Sequence, residues 1–141
     1  IKAGAVTDHL CYFPDIMPTL SEISGAKSPP TDGISLVPTL KSRGEQKKHD
    51  HLYWEYVGQT AVRMKNWKAY KAKKGDWKLF DLSKDIEENI DLAKSNPDIL
   101  NKLIALSKSS HQAIKPGKIH DRELVGKDRK QAPHGRNKEK K

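Results

Sequence analysis

Cysteine is nearly absent: Cys11 is the only one in 141 residues. A single thiol excludes an internal disulfide and any zinc site built on paired cysteines, and it leaves the redox compartment open. Long apolar runs are also missing. None approaches the roughly 18 residues that span a bilayer, so no membrane partner is expected. No charged n-region followed by an apolar h-region is present, and the first residue is Ile1, which reads as a piece of something longer. There is no glycine-rich phosphate loop. No Ser/His/Asp set can be assigned, because spacing along the chain does not define a triad.

Acidic residues are outnumbered. Lys+Arg total 27 against 18 Asp+Glu, a net charge of +9. That balance attracts polyanions such as nucleic acid, acidic lipid or sulfated polysaccharide. Much of the excess lies in Lys115–Lys141, where basic residues dominate and large apolar ones are few. This segment reads as a solvated, disordered tail.

What is present is clustered. In "DIMPTLSEISGAK", Asp15 suits a helix N-cap, Pro18 fits the first turn and Gly25 fits a left-handed C′ position. Ile16, Leu20 and Ile23 make one apolar face. "SPPTDGISLVPTL" opens with turn signals, and its Ile34, Leu36 and Leu40 pack down. "KSRGEQKKHD" reads as a surface connection. From His51 the pattern changes to short strands: "HLYWEY", a hairpin in "TAVRMKNWKAYK" with Lys65-Asn66 as a two-residue turn, a second turn at "KKGD", then "WKLFDL". Trp54, Trp67 and Trp77 are expected on the buried face. "NPDILNKLIALSKSSHQ" is a helix with Asn96 at the N-cap and Pro97 at N1, carrying a stripe of Ile99, Leu103 and Leu106 widened by Leu100. The fold class is therefore α+β: a small antiparallel β-meander covered by a C-terminal helix, preceded by a helix and loop.

The chemistry-bearing residue types read modestly. Cys11 is expected as a small buried residue beside Tyr12 and Phe13. His49 and His51, two apart, lack a partner cluster for a metal and read as a solvated loop. The rings and lysines of "WKAYKAKKGDWK" would suit single-stranded nucleic acid, but an amphipathic hairpin is the favoured reading.

Four segments in order resemble the C-terminal part of the sulfatase family, the arylsulfatase-like, formylglycine-dependent members of the alkaline-phosphatase-like superfamily. "DIMPTLSEISGA" is similar to an Asp-x-x-Pro-Thr-Leu helix ending in Gly-Ala, and "DGISLVPTL" to Asp-Gly-x-Ser-Leu-x-Pro-x-Leu. "AVRMKNWKAY" resembles an Ala-Val-Arg-x-Gly-Asp-Trp-Lys hairpin, with Lys65-Asn66 replacing Gly-Asp. "LFDLSKDIEENIDL" resembles Leu-Tyr-Asp-Leu-x-x-Asp-Pro-x-Glu-x-x-Asn-Leu, with Ile86 where proline is usual and Asp91 where asparagine is usual. The resemblance runs to about Leu106.

It implies a sulfuric ester hydrolase acting on a carbohydrate or aryl sulfate, with its catalytic machinery in an absent N-terminal portion. Residues 1–41 would end the α/β catalytic domain, 42–50 connect, 51–112 form the meander-plus-helix subdomain and 113–141 form the basic tail. Calcium and formylglycine are implied for the intact enzyme and no cofactor for this chain. Cys11 is followed by Tyr12-Phe13-Pro14-Asp15, which does not fit the family's Cys-x-Pro/Ala-x-Arg, and the resemblance puts the family's calcium-binding aspartates and catalytic lysines and histidines upstream of the Asp-x-x-Pro-Thr-Leu helix, so no catalytic or metal position carries over. An N-terminal catalytic domain is the implied partner, and an exported or periplasmic location the implied setting. The residues expected to touch distal substrate are His51, Trp54 and Arg63. A ring suits a sugar face, and a guanidinium suits sulfate. Arg63 has a competing role, an ion pair with Asp81 or Asp85. The alternative function is a polyanion-binding module without catalysis, for nucleic acid or sulfated polysaccharide.

Overall fold

A computed structural model describes residues 1–112, and the basic segment Lys115–Lys141 lies outside them. Strands β1 (Leu52–Tyr56), β2 (Gln59–Met64), β3 (Trp67–Lys71) and β4 (Trp77–Asp81) form one antiparallel sheet in the order β1-β2-β3-β4. Side chains alternate across a strand, so register fixes which residues share a face. Tyr53, Val62, Ala69 and Leu79 stand in one cross-strand row. The last three are wholly buried and meet Leu103 of the C-terminal helix, with Ile99, Leu100 and Leu106 packed beside them.

That helix, α3 (Pro97–Ser110), starts at Pro97 as the sequence implies, where a missing N–H costs little. Trp67 and Trp77 join this core, but Trp54 does not. It lies on the other face and is 41 % exposed. The expectation that all three tryptophans share the buried face is thus corrected for one: Trp54 pairs with Ala61, one residue out of phase with the Tyr53–Val62 row.

Two hairpin turns carry strain. Lys65 takes φ +55 in the Lys65-Asn66 turn, so the left-handed residue is the lysine and not the asparagine. Val57, in the β1–β2 turn, takes φ +50, which is an outlier for a β-branched residue.

The N-terminal third is built differently. A 3-10 turn (Phe13–Asp15) leads into α1 (Ile16–Ser24), which ends at left-handed Gly25, φ +73. The sequence does not announce α2 (Val37–Lys41), a single short helix closed by left-handed Ser42. In α1 the buried side chains are Thr19 and Ser21, while Ile16, Leu20 and Ile23 are about half exposed. The helix turns its polar side inward and its apolar stripe out.

The inward side is held by a polar clasp. Asp15 is wholly buried. Its carboxylate does not cap α1 but accepts the Tyr12 N–H (2.9 Å), the Ile34 N–H (2.7 Å) and a hydrogen bond with His49 Nε2 (2.8 Å). One turn along, Thr19 Oγ1 donates to the Asp15 carbonyl (2.6 Å) and accepts the Leu36 N–H (2.9 Å). Residues 34 and 36 are thus received by side chains four apart, Asp15 at the end of the 3-10 turn and Thr19 on α1. A Cβ at Gly33 would sit 2.0 Å from the Pro14 carbonyl oxygen, so this approach requires glycine. His49 is therefore no solvated loop residue, since its side chain is 8 % exposed. Gln46 pins the same stretch through Thr39 and the Ser35 carbonyl.

Burial alone would raise the Asp15 pKa, but the Ile34 and Tyr12 N–H groups, and then the His49 ring, hold it below the usual carboxylate value. A depressed folded pKa contributes stability above the unfolded value, and that contribution is lost as pH falls through the folded one. Amide exchange at Tyr12 and Ile34 should accordingly accelerate below pH about 4, and Asp15→Asn should flatten that dependence while costing about 1–3 kcal/mol. Unchanged protection at low pH would contradict it. Removing left-handed strain should have the opposite sign. Lys65→Gly is expected to stabilise by about 0.5–1 kcal/mol and Val57→Asn by about 1 kcal/mol, read by chemical denaturation.

Candidate functional site: the outward face of the sheet

The face opposite α3 carries Leu52, Trp54, Arg63, Lys68, Tyr70, Lys78 and Phe80. Trp54, Ala61, Tyr70 and Lys78 form one cross-strand row, and Leu52, Arg63, Lys68 and Phe80 the next. Leu52 and Phe80 are buried. The others present rings and cations. Tyr70 donates to Gln59 Oε1 (2.5 Å), and Lys68 pairs with Glu88 (2.5 Å), which draws the loop after β4 back over this face.

Trp54 and Arg63 are diagonal neighbours here, within reach of one ligand. Arg63 Nε donates to the Lys65 carbonyl (3.1 Å), which fixes the stem. The expected ion pair with Asp81 or Asp85 does not form. Asp81 accepts from Ser83 N and Oγ and pairs with Lys84, while Asp85 accepts the Ile90 N–H. Among the described residues no carboxylate pairs with Arg63, so its terminal nitrogens are available to an anion.

His51 belongs elsewhere. It has the parity of Tyr53, on the α3 side, and its Nε2 hydrogen-bonds Ser110 Oγ (2.7 Å), while Nδ1 is buried without a partner among the described residues. The structure brings Trp54 and Arg63 together and not His51.

Sequence reasoning missed Tyr12. Its ring meets His49 edge-on (centroids 4.9 Å, 80°) and Trp54 likewise (6.2 Å, 89°). Burial, then the nearby Asp32 and Asp15, raises the Tyr12 pKa. No periodicity links residues 12 and 54, so only the fold reveals this contact.

Cys11 is exposed, contrary to the buried placement expected of it. A groove of about 350 Å³ between α1 and α2 is lined by Glu22, Ile34, Pro38, Glu45 and Lys47 and includes none of His51, Trp54 or Arg63. Among the described residues no three His, Cys, Asp or Glu side chains converge to hold a metal, and the Cys11 surroundings do not match a formylglycine site, so neither group is fitted here. Nor, among those residues, is any helix long and apolar enough to cross a membrane.

No family model matches the chain. An uncharacterized sulfatase of Schizosaccharomyces pombe is 34% identical over 119 residues, covering 74% of this chain and 22% of that protein. A Delta 4,5-hexuronate-2-O-sulfatase of Bacteroides thetaiotaomicron is 33% identical over 132 residues, covering 77% and 27% respectively. Among solved structures, Ps i-CgsB in complex with a neocarrahexaose superposes with a TM-score of 0.57 at 27% identity, over 85% of this chain and 29% of that one. The chain thus spans about a quarter of the length of the proteins it matches. Two sulfatases at about one-third identity over about three quarters of this chain support its being the C-terminal part of a sulfatase, in agreement with the four ordered motifs, two of which fall on the meander.

Proposed function

We propose that this chain is the C-terminal segment of an enzyme that hydrolyses sulfate esters of carbohydrates, and that Trp54 and Arg63 contact the substrate away from the reacting sulfur. The observation that carries the reading is their shared outward face, where Trp54 is a diagonal neighbour of Arg63, whose guanidinium meets no carboxylate among the described residues. A relative named for hexuronate sulfate and a neighbour bound to a neocarrahexaose support a carbohydrate over an aryl sulfate. They also favour it over a polyanion-binding module without catalysis.

The chemistry of attack belongs to groups beyond these residues. In the intact enzyme, formylglycine would supply the nucleophile and calcium would hold the sulfate. What this chain contributes is binding. Trp54 offers an apolar face to a pyranose ring, and Arg63 can give two parallel N–H bonds to a sulfate or carboxylate. Lys78 adds a positive charge to this face, an attraction screened over roughly 8 Å at physiological salt, while the charge of Lys68 is matched by Glu88. The outward apolar stripe of α1 (Ile16, Leu20, Ile23) fits an N-terminal catalytic domain as its covering partner.

The purified 141-residue chain should not turn over an aryl sulfate above a heat-killed control. In the intact enzyme, Arg63→Ala should raise KM for a sulfated oligosaccharide about tenfold, with a smaller effect from Arg63→Lys. Unchanged KM in both, or turnover by the isolated chain, would defeat this reading.

A further inference from the structure

Trp54 stands on β1, an edge strand, so it has a strand neighbour on one side only. That neighbour is Ala61, whose methyl group offers an indole little lateral support. An indole in this position should exchange between rotamers unless something else walls it in. The wall is Tyr12. Its ring is perpendicular to Trp54 at 6.2 Å, a favoured edge-to-face arrangement.

Tyr12 is itself fixed at three points. Its N–H goes to Asp15 Oδ2 (2.9 Å), its hydroxyl donates to the Asp32 carbonyl (3.3 Å), and its ring abuts His49, which is bound to the same Asp15 carboxylate. The N-terminal clasp thus ends in a rigid aromatic arm that reaches the sheet's outward face.

We infer that Tyr12 is a positioning residue, which holds the Trp54 indole in the orientation that stacks on substrate, with His49 and Asp15 as its support. The inference deepens the proposed function and rests on Trp54 being a substrate contact. It assigns Tyr12 no contact with substrate. Its effect is to reduce the rotamer freedom that Trp54 loses on binding.

The test uses the 141-residue chain labelled with 5-fluorotryptophan, the Trp54 fluorine signal being assigned by Trp54→Phe. In Tyr12→Leu, the Trp54 signal should move toward that of free tryptophan while the Trp67 and Trp77 signals stay in place. In Tyr12→Phe, which keeps the ring, it should remain where it is. A Trp54 signal unmoved by Tyr12→Leu would overturn the inference. Should Tyr12→Leu shift all three signals, nuclear Overhauser contacts between the Tyr12 ring and Trp54 indole protons in the unsubstituted chain decide: presence supports it, and absence overturns it. A sulfated disaccharide is then titrated. Its affinity should fall about three- to tenfold in Tyr12→Leu and recover in Tyr12→Phe. If the disaccharide leaves the unsubstituted Trp54 signal unmoved, the substrate reading of this face fails, whereas the ring contact is judged by the first arm alone.

Discussion

One buried carboxylate organises the N-terminal third of this chain. Asp15 has no exposed surface, and an ionised carboxylate out of water is tolerated only when its lone pairs are filled. Two backbone N–H groups and an imidazole fill them, arriving from residues 12, 34 and 49. Each donor would lose its partner if the carboxylate moved, so the three segments are locked to one another. Thr19 repeats the device a helical turn further on, receiving Leu36 N–H. The two motifs that begin with Asp15 and Asp32 are therefore two halves of one hydrogen-bonded structure, which explains physically why such residues occur in that order.

The two halves of the described fold are held by unlike forces. The meander and α3 enclose an apolar core of Val62, Ala69, Leu79 and Leu103, the kind of burial that supplies most folding free energy. The clasp region encloses mostly polar side chains, Asp15, Thr19 and Ser21 with Val37, and leaves Ile16, Leu20 and Ile23 about half exposed. Hydrogen bonds fix geometry well but contribute little net stability each. A region assembled this way is specified by its polar contacts and would gain most of its hydrophobic term from a further surface laid against α1. That asymmetry accords with a chain that spans about a quarter of its relatives' length.

Local features were legible in the sequence and non-local ones were not. Gly25, Pro97 and the Ile99–Leu103–Leu106 stripe act within a few residues of themselves, and periodicity places them correctly. Asp15 reads as an N-cap because capping is the commonest local use of aspartate before a helix. Its actual partners at 34 and 49 carry no local signal. The α1 stripe is equally visible, but periodicity reports that a face is apolar and not which way it points. Aromatic residues usually point inward, but a register one residue out of phase sends Trp54 outward. For the site, Arg63 and Trp54 could be named as candidates, while Tyr12, 42 residues away, could not.

The departures from the family motifs follow from what each position does. Asp91 Oδ1 accepts the Leu79 and Ala93 N–H groups, an acceptor role that an amide oxygen fills equally well, so aspartate serves where asparagine is usual. Ile86 is 73 % exposed, and a position in water makes no packing demand that proline alone could meet. Lys65 is different. It occupies φ +55, where a glycine has no Cβ to clash, and the lysine must hold that conformation at some cost. Its carbonyl is the acceptor that anchors Arg63 Nε. The turn is thus not free to relax: reshaping it would release the guanidinium stem on the face where Trp54 stands. Strain at the hairpin and order at the cation are two aspects of one backbone conformation, and a sequence that keeps the cation in place keeps the turn even with a side chain that suits it poorly.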